Sequence, residues 1–402
     1  MTRLYLYDDA QARKFEPFAL TRPVSELRAG AEIVRARWEM ASGLTASGFF
    51  GAEHLDNFDE PGAPGSARSE GTVPTGSMIV NSRCVVALDA IIDDASVAYS
   101  CRGIVCAVRA APGLATDELS AGTLSLHSLT DDTPATEISG QWLDEVWELV
   151  GDLEAQLIVD IPVMASRLSV EVAEHATVMG THGVYCETGA RVDPFVVLDA
   201  SAGPILIRRG ATVSSFSHIV GPCYIGEDST VVGDVIRGCS IGNVCKVRGE
   251  MSGSVMLGHS NKGHTGFVGS SYLGRWVNFG SGTTTSNLKN TYGSVQLSTS
   301  SGMRDTGLQF LGSLVGDHAK TGIGTMLTTG CVVGAGANIY GAGSSPKVVP
   351  PFAWGASEPH DRYEIAKFVE VAARMMARRH ATLSDKGRLQ LEDSFQESER
   401  SR

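Results

Sequence analysis

From about residue 172 the chain places an aliphatic residue at every sixth position for long stretches. Val172, Val178 and Val184 are six apart, as are Ile207, Val213, Ile219, Ile225 and Val231, and later Leu327, Val333 and Ile339. A helix repeats near 3.6 residues and a strand at 2, so neither explains the spacing. It fits a solenoid, in which each repeat adds a short strand and a corner and turns its periodic residue inward. Gly, Ser, Thr and Asn fill the intervals, as in IVGPCYIGEDSTVVGD and LTTGCVVGAGANIYG. A parallel β-helix is therefore expected over residues 161–345, with Cys223, Cys239, Cys245 and Cys331 packed in its coils as small apolar side chains.

The residues before the repeats read differently. Leu4 and Leu6 alternate with Tyr5 and Tyr7 ahead of Asp8 and Asp9, which predicts a short buried strand. In LTRPVSELRAGAEIVRARWEMASG, Val24, Leu27, Ala31, Val34 and Trp38 recur at helical spacing with Pro23 in a first turn. GFFGAEHL, SMIVNSRCVVAL and RGIVCAVRA read as further strands, and DEPGAPGSARSEGTVPTG as a mobile surface insertion. WLDEVWELVGDLEAQLIVDI predicts a closing helix. Residues 1–160 are thus expected to form an α/β domain. After the repeats, residues 346–381 read as a Pro-rich exit and a docking helix carrying Ile365, Phe368, Val369, Ala372 and Met376 on one face. Residues 382–402 are polar and charged and are expected to be disordered.

Charge narrows the partners. With 45 acidic and 33 basic side chains the net charge is −12, which argues against a nucleic-acid-binding face. No apolar run is long enough to span a bilayer, and MTRLYLYDDAQARKFEP lacks the apolar stretch of a signal peptide. The eight cysteines form no CxxC pair, as expected of reduced structural thiols. A soluble, cytoplasmic protein without a membrane partner is expected.

The period lapses at residues 258–269, GHSNKGHTGFVG, where Ser, Asn, Lys and two His stand among glycines. The repeats resemble the hexapeptide-repeat, left-handed β-helix proteins, most of which are acyltransferases. The stretch from Lys246 to Asn290 resembles, more narrowly, the bifunctional N-acetylglucosamine-1-phosphate uridylyltransferases/glucosamine-1-phosphate acetyltransferases. That family places a His, a Tyr three residues on, an Asn fourteen residues on and a second Asn nine beyond that, in a GAGT-containing turn. This chain has His264, Phe267, Asn278 and Asn287, with GSGT at 280–283. Phe267 stands where the family has Tyr, and Leu288 follows the second Asn where the family has another Tyr. These replacements remove hydroxyls and leave the sugar open. FALTRPVSELRAG, SNKGHTGFVGSSYLGRWVNFGSGTTTSNLKNTYG, FLGSLVGDHAKTGIGTM and PPFAWG extend the resemblance to a divergent group of sugar nucleotidyltransferases of that type.

Acyl transfer from a thioester to an amine needs a base, donors for the oxyanion and positioning of both substrates. His264 suits the base, since imidazole exchanges protons near neutrality. Asn278 and Asn287 can orient hydroxyl or carbonyl oxygens, or can form an asparagine ladder at the corners. Lys246, Arg248, Lys262 and Lys289 are the cations near enough in sequence to meet a sugar phosphate or nucleotide diphosphate. Lys320, Lys347 and Arg378 are candidates for the phosphates of acetyl-CoA. The resemblance implies a homotrimer, an N-acetyltransferase acting on a phosphorylated or nucleotide-activated amino sugar such as those leading to UDP-N-acetylglucosamine, and a second, UTP-dependent activity in the first domain.

In the resembled enzymes the first strand leads into a Gly-rich phosphate loop. The corresponding YDDAQARKFEPFALTRP has no glycine. Arg13, Lys14 and Arg22 remain to meet phosphates, and Asp8 or Asp9 to hold Mg2+, with Asn81 where a metal-binding Asp is expected. Two rival readings stand beside this one. His259 and His264 form an H-x4-H pair similar to that of gamma-class carbonic anhydrases, with His218 or His182 as third ligand. Alternatively the β-helix only trimerises a nucleotide-sugar-binding domain.

Overall fold

A computed structural model describes residues 2–93, 95–130, 133–171, 173–341, 343–355 and 360–400. Val172, the first member of the six-residue series, lies outside the described residues. The chain forms two compact units, one reaching to Val146 and taking in the residues from Leu383 onward, the other spanning Trp147–Thr382. All eight cysteines are buried free thiols. Among the described residues no helix is long and apolar enough to cross a membrane.

The first unit is built on a six-stranded mixed sheet. Its strands are β1 (Leu4–Tyr7), β2 (Ala46–Phe50), β3 (Met78–Asn81), β4 (Ala98–Cys101), β5 (Ile104–Arg109) and β6 (Thr136–Glu137), in the order β2-β1-β3-β5-β4-β6. β1 pairs in parallel with β2 and β3, while β5 runs antiparallel to β3 and β4. Every residue of β1 is buried, as a central strand covered on both faces requires. The helix expected from Val24 instead begins at Val34: α1 spans Val34–Ser42. Gly30, with φ of 63°, turns the preceding chain into a hairpin pairing Arg28–Ala29 with Glu32–Ile33. Apolar residues at helical spacing are here buried by a turn and a ribbon. The insertion at 59–76 is tied down too, with Ala67 and Val73 buried and Ala67 N–H bonded to the Phe49 carbonyl at 2.9 Å.

In the second unit, α2 (Leu153–Ala165) precedes a solenoid whose strands stack into three faces. One face has ten strands, from Val170–Glu171 to Val348–Val349. A second has ten, from Arg191–Val192 to Asp361–Arg362. The third runs for six strands, from Thr177–Gly180 to Val268–Gly269, and resumes with three, Thr284–Thr285, Thr325–Leu327 and Gly343–Ser344. Apart from the antiparallel end strands Val170–Glu171 and Asp361–Arg362, pairing between successive coils is parallel and in register, so like positions stack about 4.8 Å apart. The periodic residues Ile207, Val213, Ile219, Ile225 and Val231 are fully buried in one continuous core, as the period predicts. Val178 departs from it at 50% exposure, because its strand, Thr177–Gly180, is the edge of its face and has a coil on one side only.

One column of corners adopts left-handed backbone and carries rings: His259, Trp276, His318 and Phe352 have φ of 54°, 63°, 60° and 54°. His259 lies tilted against Trp276 at 4.3 Å between centroids, and Trp276 stacks on His318 at 6.3 Å. Helix α3 (Ile365–Ala377) lies along this column, with Phe368 5.8 Å from His318 and 5.0 Å from Phe352.

The tail corrects the expectation of disorder. Asp385–Arg400 form helix α4, which packs on the first unit with Gln390, Leu391, Ser394 and Ser398 buried. Gln390 Nε2 donates to the Thr21 carbonyl at 3.1 Å and Ser394 Oγ to the Leu20 carbonyl at 2.8 Å. Its docking stripe repeats every fourth residue but is largely polar, so no apolar period marks it. Removing residues 383–402 is expected to take the Gln390 and Ser394 donors from these carbonyls and to speed amide exchange at residues 19–22 at least tenfold. Hydrogen exchange with mass spectrometry checks this, and unchanged rates would show that α4 does not brace the loop.

Candidate active site

The lapse at 258–269 is a change in corner length. Between the second and third faces the chain turns within residues 214–216, 232–233 and 248–250 in successive coils, and within 263–267 after Asn261–Lys262. The longer corner carries His264 at its tip. Lys262 occupies the inward position, paired with Val247 where earlier coils place Val231 and Val213. It is 2% exposed, and its ammonium donates to the carbonyls of Arg248 (2.7 Å), His264 (3.0 Å) and Gly266 (2.7 Å). Burial pushes its pKa down to about 8, with Asp234 opposing. An ammonium has three donors, and all three are spent on backbone. Lys262 is therefore a strut inside the corner, which corrects its assignment to a phosphate. The His264 ring is exposed, and among the described residues no group bonds it.

Register gathers several of the other candidates. Lys246, Asn261, Asn278, Lys320 and Asn338 follow one another in a single outward column of the second face. Asn261 Nδ2 donates to Asn278 Oδ1 at 2.9 Å, so the ladder option holds for Asn278 while its amide nitrogen stays on the outer face. A Cβ on Gly263 would stand 2.9 Å from Asn261 Oδ1 and 3.5 Å from the Lys246 stem, so the column abuts the start of the His264 corner. Lys320 Nζ donates to the His318 carbonyl at 3.0 Å, and burial pushes its pKa down to about 8. Arg248 is half exposed, 3.5 Å from Asp234.

Phe267 and Asn287 meet over Gly269. A Cβ there would lie 2.4 Å from Phe267 Cζ and 2.6 Å from Asn287 Nδ2, so only glycine admits both. Asn287 Nδ2 also donates to Ser270 Oγ at 3.2 Å. Lys289 donates to the Ser294 carbonyl at 2.9 Å and lies close enough to Lys347 to lower its pKa, second to burial. Arg378 is exposed just past α3, and among the described residues no bond ties it to the corner.

The rival metal set would draw its three His from two subunits; within one chain, among the described residues, no three His, Cys, Asp or Glu side chains are grouped as ligands, the His259 ring lies tilted against Trp276 and His218 stands 4.0 Å from Asp199.

In the first unit the candidate phosphate and metal groups serve the loop itself. Asp9 accepts from the Gln11 and Ala12 amides, from Asn81 Nδ2 at 2.9 Å and from Arg83 at 2.9 Å. Asp8 accepts from the Val24 amide at 3.0 Å, and burial pushes its pKa up to about 6. A buried Asp8 bonded to the Val24 amide and an Asp9 held by Arg83 do not fit a Mg2+ site, which needs accessible oxygens. Arg13 donates to the carbonyls of Asp8 and Ser120 at 3.0 Å each. Arg22 is 2% exposed and forks onto both oxygens of Glu60, at 3.2 and 2.9 Å. Of the loop's candidates, Lys14 alone is exposed and makes no side-chain bond among the described residues.

Residues 4–168 match the sugar nucleotidyl transferase family. The match covers the first unit up to Val146 and α2 of the second. A bifunctional sugar-1-phosphate nucleotidylyltransferase/acetyltransferase of Sulfurisphaera tokodaii is 34% identical over 91 residues, 23% of this chain and 23% of that protein. The bifunctional protein GlmU of Streptococcus thermophilus is 27% identical over 157 residues, 39% of this chain and 30% of that protein. The alignments thus span less than a third of these relatives. The solved structure of an Arabidopsis UDP-N-acetylglucosamine acyltransferase, 14% identical, overlays 52% of this chain and 80% of its own with a TM-score of 0.26, too weak to argue from.

Sequence reasoning missed Asn261, which positions Asn278, and Arg83, which holds Asp9. The signal for Asn261 was present, since it stands immediately before an inward position, as Lys246 and Asn278 do. Arg83 follows β3 by two residues and no motif marks it. Asp8 gives the nucleotidyl transferase-like unit a pH dependence. Because its folded pKa is raised above the unfolded value, the folded state holds the extra proton between about pH 4 and 6. Stability should therefore fall as pH rises through that window. Asp8→Asn is expected to flatten this slope in urea titrations at pH 4, 5 and 6, and an unaltered slope would mean that Asp8 does not carry it.

Proposed function

We propose that the protein transfers an acetyl group from acetyl-CoA to the amine of a phosphorylated or nucleotide-activated amino sugar, at the corner formed by residues 263–267. The observation that carries this reading is an exposed imidazole, His264, on a lengthened corner whose backbone is held from inside and which abuts a column of amides and cations. In the reaction the sugar nitrogen attacks the thioester carbonyl and His264 takes the proton that nitrogen sheds. The carbon–sulfur bond then breaks and the coenzyme A thiolate leaves, to be protonated in turn. Asn278 and Asn287 orient sugar or acetyl oxygens, with Phe267 offering an apolar ring beside Asn287. Lys246, Arg248 and Lys289 meet the acceptor's phosphate, and Lys320, Lys347 and Arg378 the phosphates of coenzyme A. The relatives that match include a nucleotidylyltransferase/acetyltransferase, which supports a place in sugar-nucleotide biosynthesis. A homotrimer belongs to this proposal, since the site then draws residues from neighbouring solenoids.

UTP-dependent nucleotidyl transfer by the first unit is the second activity its family match suggests. The internal bonds of Asp9 and Arg22 favour instead a unit that binds a nucleotide sugar without transferring it. One panel tests both readings: acetyl-CoA and UTP with sugar phosphates and UDP-linked amino sugars, read for free thiol and for pyrophosphate. Free thiol is expected with at least one amine, and His264→Ala should lower kcat/KM about a hundredfold or more. Wild-type protein that releases no thiol with any amine would overturn the acyltransferase reading.

A further inference from the structure

A solenoid's inward positions form columns, and a charge in such a column is costly unless fully bonded. Lys262 stands in the column of Val213, Val231 and Val247, all fully buried. Its stem follows the apolar column while its ammonium turns to the corner and meets three carbonyls. One of them belongs to the neighbouring coil, at Arg248, and two to the corner itself, at His264 and Gly266. The Phe267 amide lies 3.5 Å from Thr284 Oγ1, and the Val268 amide resumes the coil-to-coil ladder at the Glu250 carbonyl, at 3.0 Å. Between Lys262 and Phe267 the backbone therefore turns two carbonyls inward, and a buried carbonyl left without a donor is destabilising.

We propose that Lys262 is a positioning residue for His264: its buried ammonium fixes the widened corner so that the imidazole is held at one place on the solenoid surface. The proposal rests on the reading of His264 as the base, but the geometry stands apart from it, since a fixed corner is a property of the protein without substrate. Gly249 belongs to the same device. With φ of 87° and a would-be Cβ 2.5 Å from Lys262 Nζ and 2.6 Å from the Gly266 carbonyl, it leaves the ammonium room to reach all three acceptors.

Three variants test this: Lys262→Met, which keeps the stem and removes the donors, Lys262→Arg, which keeps a buried cation, and Gly249→Ala, whose Cβ would press on both the ammonium and the Gly266 carbonyl it meets. The first readout is the ring 1H–13C resonance of His264, assigned by its loss in His264→Ala. The second is kcat and KM separately for the amine acceptor. Lys262→Met and Gly249→Ala should shift or broaden the His264 resonance, and Lys262→Arg should restore part of the wild-type signal. Lys262→Met should lower kcat tenfold or more with KM within about twofold. Should Lys262→Met fail to fold, Lys262→Gln, which keeps a polar end but cannot supply three donors, gives the same reading. An unchanged His264 resonance in a folded Lys262→Met or Gly249→Ala protein overturns the proposal. Failure of the acyltransferase reading would show instead as wild-type protein without turnover, while the resonance still reports on the corner.

Discussion

Every coil of the solenoid is bound by the parallel hydrogen-bond ladder to the coil before it. That ladder holds like positions in register, so whatever stands at one position stacks on its counterparts. Inward positions become an apolar column, outward positions become strips of similar chemistry, and corners become columns of left-handed backbone. The functional arrangement follows from this constraint. Lys246, Asn278 and Lys320 share a strip because they share a register, not because they are near in sequence. His259, Trp276 and His318 line up for the same reason, and that row of rings gives α3 an aromatic ridge to cover.

The chain relaxes the ladder at residues 263–267 by lengthening one corner, which turns the His264 and Gly266 carbonyls inward. A lysine in the apolar column answers them, and His264 is carried outward as a result. The exposed imidazole and the buried cation are two consequences of one local departure from the repeat.

The fold was largely legible because burial in a solenoid leaves a period in the sequence. Ile207 through Val231 mark the core directly, and the lapse at GHSNKGHTGFVG marks the corner. What the sequence did not disclose was direction. Lys262 lies between Asn261 and His264 and reads as a surface cation, yet its position in the strand turns it inward. Arg22, Arg13 and Asp9 read as phosphate and metal groups, whereas a loop without glycine uses them to satisfy its own backbone and charges. Helix α4 leaves no apolar period because Gln390 and Ser394 dock through hydrogen bonds, and the helical spacing before α1 does not make a helix because Gly30 breaks it.

The central claim is that the widened corner is where the amine is acylated. A crystal structure of the protein with coenzyme A and an amino sugar that it accepts tests this most directly. The account predicts the sugar nitrogen within hydrogen-bond reach of a His264 ring nitrogen, about 2.6–3.2 Å, beside Asn278 or Asn287 of the same or a neighbouring subunit. An amino sugar seated elsewhere, with its nitrogen out of reach of every His264 in the assembly, would contradict it.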